Sequence, residues 1–382
     1  MRIIKIEQQL SVFDTDNCET KIYPNKEYVV SDFLVFKIKE SGFEKRILKD
    51  ENFYKDKRIE DKKYKGQNLF GKKLITFRSG GIGDLIFQLP SLKELKDTYN
   101  DKIEITVCCD NRYSDIFKEI DYINRLISLP LELEILLEHD YFVNFEGLIE
   151  SNVEAEQINA YELHAEKFYV RPKTYVPKLK TNEDKDKQID ELLDKNKINV
   201  VIGFATTVAI RSVHPDLYAN LMANLKEDKF NFYVVGSKSQ IKDIDFLVNA
   251  LKEQRGLTNV INWAKINSDD LLLTMSLVKF ADIVIGPDSG LLHIAGGLNT
   301  PLIGLYGPFY SSLRLKHYKN AIGIDAMSNC YYGKKSRFKA CFQHGGGSCH
   351  SARKNSIVFS PCMSLIKSEN IIEGMKLLKI IK

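Results

Sequence analysis

The chain is 382 residues long, enough for two to three domains at ~100–200 residues each, and its 44% hydrophobic and 28% charged residues describe a globular protein with a sizeable core. Fifty-five Lys and Arg against 51 Asp and Glu leave a formal charge of +4, too balanced for charge alone to argue for a nucleic-acid partner. No stretch approaches the roughly 18 consecutive apolar residues of a membrane span, and the opening Met1-Arg-Ile-Ile-Lys-Ile lacks the apolar run and cleavage site of a secretory signal, so a cytoplasmic protein is expected.

The first 40 residues read as short strands, Ile3–Ile6, Lys21–Tyr23, Tyr28–Val30 and Phe33–Ile38, parted by turn residues such as Pro24-Asn25 and closed by Ser41-Gly42. They predict a small β-domain. From Glu44 to Lys65, 15 of 22 residues are charged with both signs mixed, the composition of a solvated linker or an exposed helix. The pattern changes at Lys72. Lys73–Phe77 reads as a strand, Arg78–Gly83 as a glycine loop, and Asp84–Tyr99 as a helix with Leu85, Leu89, Leu92 and Leu95 on one face. Pro90 inside that helix predicts a kink or a restart. The strand Ile103–Cys108, the helix Tyr113–Ile120 and the strand Tyr141–Phe145 follow, and this alternation implies a parallel sheet covered by helices.

A polar, proline-punctuated stretch from Arg171 to Lys197 reads as a linker carrying an exposed helix near Lys185–Leu193. The α/β rhythm then resumes with strands Asn199–Gly203, Phe232–Gly236, Asn259–Asn262, Asp282–Gly286 and Leu302–Tyr306, and with helices from Pro215, over Asp269–Lys279 and from Ser289. The expected organisation is a small β-domain and charged linker over residues 1–65, Rossmann-like domains over 66–180 and 181–325, a cysteine-rich excursion over 326–366 and a helix over 367–382. Ligands then belong in the cleft between the two α/β domains, at the carboxyl ends of their strands.

Three loops carry residues suited to chemistry. Gly80, Gly81 and Gly83 follow a strand and open a helix, but their spacing is not G-x-G-x-x-G and no acidic residue ends the next strand, which argues against NAD binding. Asp84 at that helix start is either an N-terminal cap or a general base. Gly286-Pro-Asp288-Ser289-Gly290-Leu291-Leu-His293 ends a buried strand and opens a helix whose first N–H groups suit a diphosphate. Here Ser289 is the expected cap, and His293, one turn in, is either packed or part of the anion site. Thr206, Thr207 and Arg211 place two hydroxyls and a guanidinium on one strand-end loop, either as a phosphate cradle or as a solvated surface loop.

Of the seven cysteines, Cys330, Cys341, Cys349 and Cys362 fall within 33 residues, with His344, His350 and Gly345–Gly347 interleaved. In a cytoplasmic setting such thiols are free, buried or metal-bound rather than a disulfide framework. A tetrahedral S₄ site for iron or zinc is one reading, although no C-x-x-C pair occurs.

The run Phe77-Arg-Ser-Gly-Gly-Ile-Gly-Asp84…Pro90-Ser-Leu-Lys-Glu-Leu resembles the opening motif of glycosyltransferase family 9, the heptosyltransferases. Phe280-Ala-Asp-Ile-Val-Ile-Gly-Pro-Asp-Ser-Gly-Leu-Leu-His-Ile-Ala295…Thr300-Pro301…Tyr306-Gly-Pro308 is similar to that family's donor motif. Thr206-Thr207…Arg211 resembles its Thr-Thr-x-x-x-Lys loop with Arg in place of Lys. The resemblance implies an α/β GT-B fold, two Rossmann-like domains facing a cleft that closes during transfer. It also implies inverting sugar transfer from a nucleotide diphosphate donor, typically ADP-heptose, without a catalytic metal. Asp84 would be the base, the domain over 66–180 would take the acceptor, and Thr206, Thr207, Arg211, Asp288, Ser289, Gly290, Leu291 and His293 would hold the donor. Ser237-Lys238 departs from the pattern, since many members carry an acidic residue for the ribose there. The N-terminal extension and the late cysteines are similar to the branch that glycosylates autotransporter proteins, whose members hold an iron through cysteines. The acceptor is accordingly a protein or a lipopolysaccharide-type glycolipid, and a homo-oligomer is compatible with either. Two competing readings are a sugar-nucleotide-binding module without turnover and a GT-B-like epimerase.

Overall fold

The structure is a computed structural model that describes residues 1–13, 19–206, 209–225, 227–267, 269–326, 349, 352 and 359–382. It divides into two compact units, Met1–Leu148 with His164–Thr174, and Ile149–Leu163 with Tyr175–Lys382.

In the first unit, β1 (Arg2–Ile6), β4 (Glu27–Val30), β5 (Ile47–Asn52) and β9 (Leu131–Glu132) form an antiparallel sheet in the order β5-β1-β4-β9, while β2 (Leu10–Phe13) and β3 (Glu19–Ile22) pair as a hairpin. β1 and β4 are apolar on both faces because each face meets a different core. Ile4, Ile6, Tyr28 and Val30 pack with Val35 and Ile38, whereas Ile3 and Val29 join Phe53, Ile75, Phe77 and Phe142. The second of these cores belongs to a parallel sheet of β6 (Lys72–Arg78), β7 (Ile103–Cys109), β8 (Arg125–Ser128) and β10 (Tyr141–Asn144), in the order β10-β6-β7-β8. The expected β-domain of residues 1–65 is thus a sheet that shares its core with the parallel one and takes its last strand from residues 131–132.

Two segments differ from expectation. Phe33–Ile38, read as a strand, lies in a helix over Asp32–Glu40. Ser31 caps it by accepting from the Leu34 N–H, Asp32 sits in the first turn, and Val35 and Ile38, three apart, supply the buried face. The charged run 44–65, read as linker or helix, contains β5 on the edge of β1 and a fully buried Phe53. Its charges pair locally, Arg2 with Asp50 at 2.6 Å and Arg58 and Lys49 with Glu27 at 2.6 and 2.7 Å. At Pro90 the helix restarts, giving Ile82–Phe87 and Leu89–Thr98.

The second unit is built on six parallel strands, β11 (Ile198–Gly203), β12 (Phe230–Val235), β13 (Val260–Asn262), β14 (Ile283–Pro287), β15 (Leu302–Tyr306) and β16 (Ala321–Asp325). Their order is β13-β12-β11-β14-β15-β16. β11, β14 and β15 are apolar almost throughout, as strands covered on both faces by helices must be. The strand order reverses between β11 and β14 in this unit, and between β6 and β10 in the first. Open α/β sheets bind ligands at such reversals, beyond the carboxyl ends of the strands. Among the described residues, no helix is long and apolar enough to cross a membrane.

Candidate functional site

In the first unit, the loops after β6 and β10 meet around Arg78 and Asp84. Gly81 takes φ +79° to turn the chain into the helix Ile82–Phe87, and the Asp84 carboxylate lies where a side chain on Gly81 would go. Arg78, nearly buried, donates from Nη2 to Asp84 Oδ2 at 3.0 Å, from Nη1 to the Phe145 carbonyl at 2.5 Å, and from Nε to the Gly80 carbonyl at 2.8 Å. Glu146 accepts from the Ser79 N–H on the same rim. Asp84 is thus an oriented carboxylate paired with a guanidinium at the third position of the helix. Gly80 and Gly83 flank it, and neither carries a side chain that would crowd its approach. Arg78 and Glu146 were not among the residues expected here. Arg78 opens the glycine loop without being singled out there, and Glu146 directly follows the expected strand Tyr141–Phe145 with no motif to mark it.

In the second unit, β11 and β14 are hydrogen-bonded neighbours, and their pairing brings the loops of Thr206–Arg211 and Asp288–Gly290 together. Arg211 Nη1 donates to Asp288 Oδ2 at 2.5 Å. Asp288 is 5% exposed, and its other oxygen faces His293 Nε2 at 3.8 Å and Arg314 Nε at 3.9 Å. Burial pushes the Asp288 carboxyl up, but Arg211, His293 and Arg314 outweigh it and hold it well below the ordinary carboxylate value. Burial lowers His293 more than Asp288 raises it, so the ring is held below its usual value and is neutral near pH 7. Two guanidinium charges therefore face one carboxylate, an excess of positive charge that suits an anion.

Ser289 occupies the cap position of the helix Gly290–Leu298, but contrary to expectation its side chain makes no capping bond. The hydroxyl is not spent on the helix, and the N–H groups of Gly290 and Leu291 lie in its first turn, where an anion is favoured. Thr206 Oγ1 lies 3.4 Å from Ser212 Oγ, and Thr207 falls outside the described residues. His293, only 2% exposed, faces inward between Asp288 and Tyr318, whose hydroxyl is 3.1 Å from Nδ1. Arg314, Tyr318 and Tyr161 escaped the sequence reading. Each is an isolated residue without a recurrent spacing, and Tyr161 reaches the cluster from 157 positions before Tyr318.

Of the late cysteines, Cys330 and Cys341 lie outside the described residues. Cys349 is buried with Ile210 and Ala352 beside the Arg211 loop, and Cys362 and Met363 lie against Gly307, just past β15. Ser360 Oγ donates to the Ile210 carbonyl at 2.9 Å. Among the described residues, no group of three or more His, Cys, Asp or Glu gathers as metal ligands do.

The two parallel-sheet units, each with charged groups at its strand-order reversal, have the build of a GT-B fold. Solved structures share it. A family 9 glycosyl transferase from Veillonella parvula gives a TM-score of 0.61 at 14% identity, covering 82% of this chain and 99% of that one. ADP-heptose lps heptosyltransferase II of E. coli also gives 0.61, at 16% identity over 81% and 98%. TibC of enterotoxigenic E. coli, described as an iron-containing dodecameric glycosyltransferase, gives 0.58 at 14% identity and extends over 99% of this chain and 93% of its own. In sequence, the chain is 25% identical over 325 residues to lipopolysaccharide heptosyltransferase 1 of Campylobacter coli, covering 69% of this chain and 90% of that protein. The family model of glycosyltransferase family 9 (heptosyltransferase) matches residues 155–339. The chain is a glycosyltransferase, and residues 155–339 carry its similarity to family 9.

Proposed function

We propose that this enzyme transfers a heptose from ADP-heptose, with inversion, to a hydroxyl of a protein or a lipopolysaccharide-type acceptor. The observation that carries the reading is the buried Asp288 cluster with its excess positive charge, set against the first turn of the helix Gly290–Leu298. The acceptor oxygen attacks the anomeric carbon as the bond from that carbon to the diphosphate breaks. Asp84 takes the proton released by the acceptor hydroxyl. The charge that builds on the departing ADP is stabilised by Arg211, the Gly290 and Leu291 N–H groups, and the hydroxyls of Thr206, Thr207 and Ser289. The named activities of the C. coli and E. coli relatives support heptose as the sugar and ADP as the nucleotide. Assembly into a homo-oligomer, the state in which TibC is described, belongs to the same reading.

Thermal shift with ADP-, UDP- and GDP-sugars tests the donor. Stabilisation is expected from ADP-heptose alone, followed by ADP release when acceptor is added, and equal stabilisation by the UDP or GDP sugars overturns the assignment. Comparing protein and glycolipid acceptors in the same assay separates the two acceptor classes, and the anomeric configuration of the product decides inversion.

Cys330, Cys341, Cys349 and Cys362 we assign to a structural iron or zinc, since four thiolates match a closed S₄ donor set and TibC is described as iron-containing. A metal there would order the cysteine-rich excursion, whose Cys349 and Ser360 lie beside Ile210, and no step of transfer passes through it. Elemental analysis of protein purified without chelator is expected to find about one iron or zinc per chain. Substoichiometric amounts of both, with all four thiols titrating in the folded protein, would exclude the site.

A further inference from the structure

We infer that Tyr318 and Tyr161 are positioning residues of the donor site, a hydrogen-bonded relay that holds His293 with its Nε2–H turned towards Asp288. The geometry begins on the helix Gly290–Leu298. His293 and Gly296 lie one turn apart on it and so share a face. The Tyr318 ring lies where a side chain on Gly296 would go, which brings the Tyr318 hydroxyl to His293 Nδ1 at 3.1 Å. The Tyr318 hydroxyl in turn bonds the Tyr161 hydroxyl. Tyr161 is fixed by Asn159, which accepts from the Tyr161 N–H at 3.0 Å and donates to the Ser312 carbonyl at 2.8 Å.

The direction of the relay follows from its ends. Asp288, held ionised by Arg211 and Arg314, can only accept, so the imidazole nitrogen facing it carries the proton. A neutral imidazole has one donor and one acceptor, which makes Nδ1 the acceptor. Tyr318 then donates to Nδ1, and Tyr161 donates to the Tyr318 oxygen. Burial raises both phenols, so both keep the protons the relay needs. With Nδ1 bonded to Tyr318 and Nε2 facing the Asp288 carboxylate at 3.8 Å, His293 is turned to Asp288 rather than to the donor. It steadies Asp288, whose other oxygen carries Arg211, and it therefore acts on the diphosphate through that guanidinium. The kinetic consequence rests on the donor-site reading above, whereas the tautomer does not.

The test uses full-length protein with ¹⁵N-labelled histidine. The wild-type His293 resonances should show a protonated Nε2 and an unprotonated, hydrogen-bonded Nδ1. Tyr318→Phe keeps the ring over Gly296 and removes the hydroxyl, so it should move the Nδ1 resonance and mix the tautomers. Tyr161→Phe should move it less, in the same direction. With ADP-heptose, Tyr318→Phe should raise donor KM about fivefold, the size of one net hydrogen bond, with a smaller change in kcat. A wild-type Nδ1–H tautomer overturns the relay, and so do unchanged resonances in Tyr318→Phe. Should Tyr318→Phe fail to fold, the wild-type spectrum and Tyr161→Phe decide alone. A tautomer shift in a protein whose wild type transfers no heptose upholds the relay and removes the functional reading instead.

Discussion

Asp84→Asn is expected to lower transfer about 10²–10⁴-fold, the usual loss on removing a general base, while donor affinity stays within about twofold. The choice of Asn matters because of Arg78. An amide oxygen at Asp84 Oδ2 can still accept from Arg78 Nη2, so the helix start and the Phe145 and Gly80 contacts survive. Asp84→Ala removes the carboxylate from a nearly buried guanidinium, and breaking such a pair costs roughly 3–5 kcal/mol. The two variants therefore separate chemistry from support. If Asp84 is the base, both lose turnover but only Ala loses much thermal stability. Initial rates with saturating acceptor, together with melting curves, read both. Turnover near wild type in Asp84→Asn would remove the assignment, and equal melting losses in the two variants would make Asp84 a structural carboxylate.

Much of the fold was legible because parallel strands covered on both faces are short continuous apolar runs. Asn199–Gly203 and Asp282–Gly286 are recognisable without tertiary information, and the observed β11 and β14 overlap them. The helix Asp32–Glu40 was not. Phe33, Leu34, Val35, Phe36 and Ile38 give an apolar run that reads as a strand, yet Phe33 and Phe36 are each 58% exposed, while Val35 and Ile38 are buried and Leu34 packs partly against them. The signal that decides it is the capping residue Ser31 before Asp32, a local bond that outweighs β propensity. Similarly, β5 hides in a charged run because its side chains pair with Arg2, Lys39 and Glu27 instead of burying one face.

The candidate site divides along the same line. Arg211, Asp288 and Ser289 stand in motifs whose backbone context is readable, strand then loop then helix. That Arg211 grips Asp288 depends on β11 lying beside β14, an order of strands that no local pattern displays. Arg314 and Tyr318 belong to the segment after β15, where the chain has no periodicity to mark them. Arg314 is 5% exposed with its guanidinium 4.6 Å from the centre of the Phe309 ring, an aromatic shelf that composition cannot foretell.

Arg211→Ala is expected to weaken donor binding tenfold or more, since charge-assisted bonds to phosphate contribute roughly 1.5–3 kcal/mol each. Part of the effect is indirect. Arg211 is the strongest of the cations holding the buried Asp288 ionised, so its loss leaves the carboxylate to Arg314 and His293. The sign of the pH dependence follows. A carboxyl whose folded pKa is depressed contributes stability that is fully present above its unfolded value, 3.8, and is lost as pH falls towards the folded one. In Arg211→Ala the depression shrinks, so the variant should melt below wild type at neutral pH, and the gap should narrow once pH drops beneath about 4. Arg211→Lys keeps the charge but not the planar fork that engages Asp288 and a phosphate at once, and it should fall between wild type and Ala. Calorimetric titration with ADP and melting curves across pH measure the two arms. Undiminished ADP affinity in Arg211→Ala would detach the guanidinium from the diphosphate, and a melting gap that widens in acid would mean that Asp288 does not depend on Arg211 for its charge.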